Sequence, residues 1–214
     1  MKLRLFVAAL ALAVGLPLAV PTQAQRVVGQ AMTTPFKDTS MIKPPPGAKV
    51  AVYEFEDLEC PACARAHPMV VAAVDHYKIP FIRKDFPLGA SHPWSTEAAI
   101  WARYLEDKVS PKVCDEYRTA VFASQALINS KDDLVNFTRR FFQSHGLQMP
   151  FVVDPAGELR KEVFADRAVG DKLGVSQTPT IFVCTDHNWV LVNDPTQLDQ
   201  TIEQVEAQVG VAHR

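Results

Sequence analysis

Several things are scarce in this chain, and each scarcity removes a class of function. It has only 4 cysteines in 214 residues, and they make a single CxxC. A structural zinc module needs four ligands at set spacings, and the 6 histidines show no paired spacing beside that motif, which argues against a zinc-binding module. Basic clusters are missing too. The 22 Lys and Arg residues, against 24 Asp and Glu, never gather beyond the pair Arg139-Arg140, which lies in a helical pattern, so nucleic acid is not expected as a partner. There is no internal repeat and no low-complexity segment. Past Val20 no apolar run approaches the ~20 residues that a membrane helix needs.

What is present begins with an export signal. Met1, Lys2 and Arg4 give a charged start, the 16 residues Leu5 to Val20 form an apolar core, and "PTQA" places Thr22 and Ala24 at the small-residue positions of a cleavage site. Gly15 and Pro17 interrupt the run, which is short for a membrane anchor. Residues 1–24 are therefore expected to be a signal peptide cut after Ala24, and 214 less 24 leaves 190 residues, enough for one domain. The mature protein is expected in the periplasm or outside the cell, where its cysteines meet oxidising conditions.

Residues 25–48, carrying "KPPPG", read as an extended leader. Residues 49–55 and 79–86 read as strands, with a helix from Pro61 to about Lys78 between them. Residues 93–146 are helical, with breaks near Ser110-Pro111 and at "NSKDD" and a stop at His145-Gly146. Asp154-Pro155 caps a further helix that ends near "KLG". "TPTIFVC" and "WVLVN" read as two strands joined by a short turn, followed by a helix from about Thr196 to Val209 and a tail over 209–214. This order predicts an α/β domain over 49–208: a central sheet covered by helices on both faces, with a helical insertion at about 93–146 extending toward 170.

The stretch "FEDLECPACARAHP" puts Cys60 and Cys63 at a strand-to-helix junction, with Pro61 in the first turn, where its missing N–H costs nothing. Unpaired backbone N–H groups and the helix dipole favour a Cys60 thiolate over a thiol. Cys63, one turn deeper, is expected to be more shielded. Such a pair forms a disulfide that reopens easily, because one leaving sulfur is a stabilised anion. Val50, Val52 and Glu54 share strand parity, so a core-facing Val50 and Val52 would turn Glu54 inward as well. Pro68, in mid-helix, predicts a kink or a restart.

The "ECPAC" junction, the link "FIRKDFPLGASHPWSTEAAIWARYLED" and the late "GVSQTPTIF", in this order, resemble the DsbA-type thiol–disulfide oxidoreductases of the thioredoxin-like family, over roughly residues 47–208. The resemblance implies a thioredoxin-like fold, a central mixed sheet carrying an inserted helical domain. It further implies that Cys60 is the exposed nucleophile and Cys63 its buried partner, that Pro179 is a cis-proline packed against the pair, and that Glu54 is the buried acid beneath them. Thr178 and Pro179, with Pro61 and Ala62, would offer the surface for an extended substrate peptide. No metal or organic cofactor is implied. The partners implied are reduced, unfolded exported proteins and a quinone-linked membrane oxidase of the DsbB or VKOR type, with the protein itself a monomer.

Two departures matter. Ala62 stands where the most oxidising members carry histidine, which predicts a less stabilised thiolate and a weaker oxidant than those members, and Gln177 stands where glycine is common. A disulfide isomerase or reductase on the same scaffold is the main rival to an oxidase, although about 24 residues before the first strand are too few for the dimerisation domain of isomerases. A non-catalytic binding module would leave the proline-framed CxxC without a role. The remaining two cysteines, Cys114 and Cys184, are expected to form a structural disulfide, with two buried inert thiols as the alternative.

Overall fold

The computed structural model describes residues 36–211, so the expected signal peptide and cleavage site, the first part of the leader and the last residues of the tail lie outside the described residues. Four strands and six α-helices follow the predicted order. They are β1 (Ala51–Glu56), α1 (Pro61–Tyr77), β2 (Phe81–Asp85), α2 (Ser95–Lys108), α3 (Pro111–Ser124), α4 (Lys131–Ser144), α5 (Glu158–Leu173), β3 (Thr180–Cys184), β4 (Trp189–Val192) and α6 (Leu198–Gln208).

The strands form one mixed sheet in the order β2-β1-β3-β4, parallel between β1 and β2 and antiparallel at the other two pairings. Alternation along β1 sends its side chains to opposite faces. Val50 and Val52 join Ala66, Val70 and Ala73 of α1 and Ile202 and Val205 of α6 in one core. Tyr53 and Phe55 join Phe86, Leu173 and Phe182 in a second core under α5. All six residues of β1 are buried, as befits a central strand covered on both sides. This is the thioredoxin-like fold.

A third core ties the inserted helices to the CxxC. Cys60 and Cys63 pack with Leu58 against Trp94, Ala98, Trp101, Tyr117, Phe122 and Phe142. The insert's breaks have the expected chemistry: Ser110 accepts from the Val113 amide with Pro111 following it, and Ser130 accepts from the Asp133 amide. Asp154 accepts from the amides of Leu159 and Arg160, and Gly174 ends α5 at φ 96°, a backbone angle suited to glycine. Pro68 lies inside α1, and the helix runs unbroken through it.

The described end of the leader is more than an extended connection. Phe36 packs edge-on against Phe182 and Trp189, the Lys37 amide donates to the Leu173 carbonyl, and Ile42 is buried. Phe36, Ile42 and this backbone bond seat the segment on the α5 face of the sheet.

Candidate active site

Cys60 is the N-cap of α1, in extended backbone conformation, and its side chain caps nothing within the helix. Its carbonyl accepts the first helical bond from the Ala64 amide. The sulfur is thus free to meet a different segment: Cys60 Sγ donates to the carbonyl of Thr178 at 3.3 Å. Thr178 precedes Pro179 through a cis peptide bond, and both stand at the head of β3. The fold therefore brings together Cys60, Cys63 and Thr178 from the two ends of the domain.

The two sulfurs sit in opposed environments. A hydrogen bond from Cys63 lowers the Cys60 pKa to about 5; burial opposes this, while the Thr178 side chain and the backbone N–H groups of Cys63 and Ala62 add to it. Cys63 is pushed far upward, first by burial, then by its hydrogen bond to Cys60 and by the negative charges of Glu54 and Cys60. The Asp57 amide donates to Cys63 Sγ at 3.5 Å and works weakly the other way. The two cysteines are not joined by a disulfide here. Cys60 is 6% exposed and Cys63 1%. The order matches the expected shielding, but Cys60 is not the openly exposed residue that the resemblance implied: it packs in the insert core and its sulfur bonds the Thr178 carbonyl.

Glu54 points inward, 1% exposed, on the α1 face of the sheet. Its Oε2 has no hydrogen-bond partner, and its pKa is raised well above the usual carboxylate range, first by burial and then by the charge of Glu56, against the pull of Arg83 and Arg118. Burial and the neighbouring negative charge both favour the protonated carboxyl.

The loop between the strand and the CxxC is held by polar contacts that sequence reasoning missed. Asp57 accepts from the Glu59 and Leu88 amides and bonds His92 Nδ1 at 2.7 Å, which fastens the "FPLGASHP" link to the active-site turn. Glu59 accepts from the Trp94 amide, and Gln125 of the 3₁₀ turn after α3 donates to the carbonyls of Leu58 and Cys60. Asp57, three residues before Cys60, was the one member of this set with a sequence signal, since a short acidic side chain favours bonds to nearby backbone. His67 of α1 bonds Thr119 Oγ1 at 2.9 Å and is held neutral by burial, its pKa lowered to about 4.

The bridge expected between Cys114 and Cys184 is not formed. Both are free, buried thiols in different cores. Cys114 packs with the insert beside the head of α1, whereas Cys184, the last residue of β3, lies in the core under α5 and donates to the Ala51 carbonyl at 3.5 Å. An even cysteine count says nothing about distance, and here the third and second cores keep the pair apart. Among the described residues no group of three or more His, Cys, Asp or Glu side chains is arranged to hold a metal ion.

The sequence matches the thioredoxin family over residues 37–204, most of its length, and the chain belongs to that family. Solved structures share its fold. ScsC of Proteus mirabilis superposes with a TM-score of 0.60 at 17% identity, covering 77% of this chain and 71% of that one. The thiol-disulfide exchange protein alpha-DsbA2 of Wolbachia pipientis superposes at 0.61 and 16% identity, over 76% and 85% of the two chains. Alpha-DsbA1 of the same organism superposes at 0.59 and 17% identity, over 78% and 92%. At such identities the likeness is one of fold. In sequence, the chain is 29% identical over 147 residues to the Na(+)/H(+) antiporter NhaA 3 of Salinispora tropica and equally to NhaA 1 of Salinispora arenicola. The match covers 68% of this chain and 22% of each antiporter, so the chain spans about a fifth of the length of these relatives.

Proposed function

We propose that the protein is an exported thiol–disulfide oxidoreductase that introduces disulfides into reduced proteins through the Cys60-Pro61-Ala62-Cys63 pair. The observation that carries this reading is the opposed state of the two sulfurs: a Cys60 thiol lowered to about 5 beside a Cys63 thiol that stays protonated. A thiolate stabilised to this degree is a good leaving group, so the disulfide form is an oxidant.

The exchange runs in two displacements. A substrate thiolate attacks Cys60 Sγ, the Cys60–Cys63 bond breaks, and the departing Cys63 sulfur takes a proton from the neutral Glu54 carboxyl. A second substrate thiol, deprotonated, attacks the substrate sulfur of the mixed disulfide and expels Cys60 as a thiolate. The substrate loses two electrons and two protons; the Cys60–Cys63 pair gains both electrons and the proton from Glu54, one substrate proton restores the Glu54 carboxyl, and the other goes to solvent. Thr178 and Pro179 would present the backbone for an extended substrate segment opposite Cys60, with Pro61 and Ala62 as the other wall. Reoxidation of the pair is assigned to a quinone-linked membrane oxidase of the DsbB or VKOR type, and residues 1–24 to a cleaved export signal that delivers a monomer to the periplasm or exterior.

The reading is tested by equilibrating the protein with glutathione at set ratios of reduced to oxidised form, alongside oxidation of a reduced two-cysteine peptide. An oxidase has a Cys60–Cys63 potential well above that of thioredoxin (~−270 mV) and oxidises the peptide stoichiometrically. A potential at or below thioredoxin's, with insulin reduction as the faster activity, would assign the reductase role instead.

A further inference from the structure

Below the sulfurs lies a buried chain of charges that the exchange reaction, as written above, does not use. Arg118, at the centre of α3, is 2% exposed. Its Nη1 reaches Glu56 Oε1 at 2.7 Å and Asp85 Oδ1 at 2.8 Å, joining the ends of β1 and β2, where those two residues stand opposite each other in register. Arg103 of α2 bonds the other oxygen of Asp85 at 2.8 Å and also Asp166 of α5, which Lys84 approaches at 2.7 Å. Asp85 stays ionised: burial pushes its pKa up, and Arg118 and Arg103 more than reverse it. A buried cluster of this kind contributes little net stability compared with apolar packing, which raises the question of what it does.

Its position suggests an answer. Glu56 is two residues from Glu54 on the same face of β1, about 7 Å along the strand. The charged and titratable groups around Glu54 can be named element by element. They are Glu56 on its own strand, Arg83 opposite it on β2, Cys63 on α1 and Arg118 on α3; His67 of α1 and Asp115 of α3, which Arg83 bonds, interact with the same two arginines. Its β3 neighbours, Thr180 and Ile181, carry no charge. Glu54 alone among these carboxyls has a buried oxygen without a partner. All the other acids of the network are tied to arginine or lysine.

We propose that Arg118 is a positioning residue for the resolving half of the exchange: by clamping Glu56 and Asp85 it leaves Glu54 as the one carboxyl able to trade a proton with Cys63, and it sets the pH at which that trade occurs. This rests on the Cys60–Cys63 exchange proposed above. In the direction in which Cys63 resolves a mixed disulfide, Cys63 Sγ bonds Cys60 Sγ, the bond from Cys60 to the partner sulfur breaks, the Cys63 proton passes to the Glu54 carboxylate, and the partner leaves as a thiolate.

The test mixes the reduced protein rapidly with excess oxidised glutathione and follows the Cys60–glutathione intermediate by acid quench and mass spectrometry across pH. Formation of the intermediate reports Cys60; its decay reports Cys63 and Glu54. With Glu56→Gln the like charge next to Glu54 is gone, and the decay profile should move down by about one pH unit; with Arg118→Met the cation is gone and it should move up by about as much. Arg118→Lys should restore most of the wild-type profile, and the Cys60 thiolate midpoint should stay in place throughout. Opposite displacements from two variants that both loosen the same cluster are not an effect of stability. If Arg118→Met does not fold, Glu56→Gln decides alone: a downward shift supports the role, and an unmoved decay profile overturns it. Equal or like-signed shifts also overturn it. A wild type that forms no intermediate overturns the exchange reading and this one together, whereas normal formation with unmoved decay overturns only this one.

Discussion

Cys60 Sγ lies 3.3 Å from the carbonyl oxygen of Thr178, a contact between residues 118 apart in the chain. In the thiol form the S–H donates to that carbonyl and the Thr178 hydroxyl, itself buried, has no partner. On ionisation the sulfur loses its proton and becomes an acceptor, and the neighbouring hydroxyl is the donor that favours this state. Thr178→Val should therefore raise the Cys60 pKa and make the disulfide form a weaker oxidant. Thiolate absorbance titration would measure it, and an unchanged midpoint would remove Thr178 from the electrostatics of the site.

The same titration on the wild type should find a Cys60 midpoint near 5, far below the ~8.5 of a free cysteine. Cys60→Ala should abolish peptide oxidation and insulin reduction. Cys63→Ala should raise the Cys60 midpoint, since the hydrogen bond from Cys63 is lost, and should accumulate mixed disulfides, because the resolving sulfur is gone. A Cys60 midpoint at the free-cysteine value would refute the activated-nucleophile reading.

The lowered value also fixes how the stability of the dithiol depends on pH. Cys60 is depressed in the folded state, so its ionisation adds stability that is fully present above the unfolded value of ~8.5 and is lost as pH falls through about 5. The disulfide form has no such titration. The stability gap between dithiol and disulfide should thus widen in favour of the dithiol from pH 5 to pH 8.5, by roughly 5 kcal/mol if the shift is fully expressed. Urea unfolding of both forms across that window measures it. A gap that is flat with pH would contradict the stabilised thiolate.

Much of this architecture could be read from the chain, and the parts that could not share a cause. β1, α1 and the CxxC were readable because strand parity, a first-turn proline and adjacency are local signals. Glu54 was readable for the same reason, being two residues beyond Val52 on a buried face. Arg118 was not. It sits in an ordinary amphipathic helix, and its burial arises only because α3 settles over the ends of β1 and β2, which brings Glu56 and Asp85 to it from 62 and 33 residues away. The Cys114–Cys184 expectation failed on the same ground: pairing depends on separation in space, and the count of cysteines does not carry it. The packed Phe36 was hidden by a proline-rich context that usually marks an unpacked linker.

Those two cysteines yield a simple check. Cys114 and Cys184 are both shifted upward, by burial first, with Cys184 pushed up to about 12. Neither should react with alkylating agents in the native protein at neutral pH. After oxidation of the CxxC and unfolding in denaturant, thiol counting should find two reactive groups per chain. A count of zero would mean that a bridge forms after all.

The last prediction concerns the packing that holds α5 on the sheet. A methyl group added at Gly170, in the last turn of that helix, would lie 2.5 and 2.6 Å from two ring carbons of Phe86 and 3.1 Å from Phe55. Neither ring can swing clear. Phe86 and Phe55 are fully buried and packed edge to face, and the Arg167 guanidinium covers the Phe86 ring at 4.6 Å. In an ordinary helix interior, alanine stabilises relative to glycine by up to ~1 kcal/mol. Here the overlap should outweigh that gain, since forcing a methyl into a close-packed core costs typically 1–3 kcal/mol. Gly170→Ala should therefore lower the urea midpoint with an unchanged m-value, while leaving the Cys60 thiolate midpoint where it is, because α5 lies on the face of the sheet opposite Glu54. A variant as stable as the wild type would show that the Phe55–Phe86 pair has more room than this packing implies.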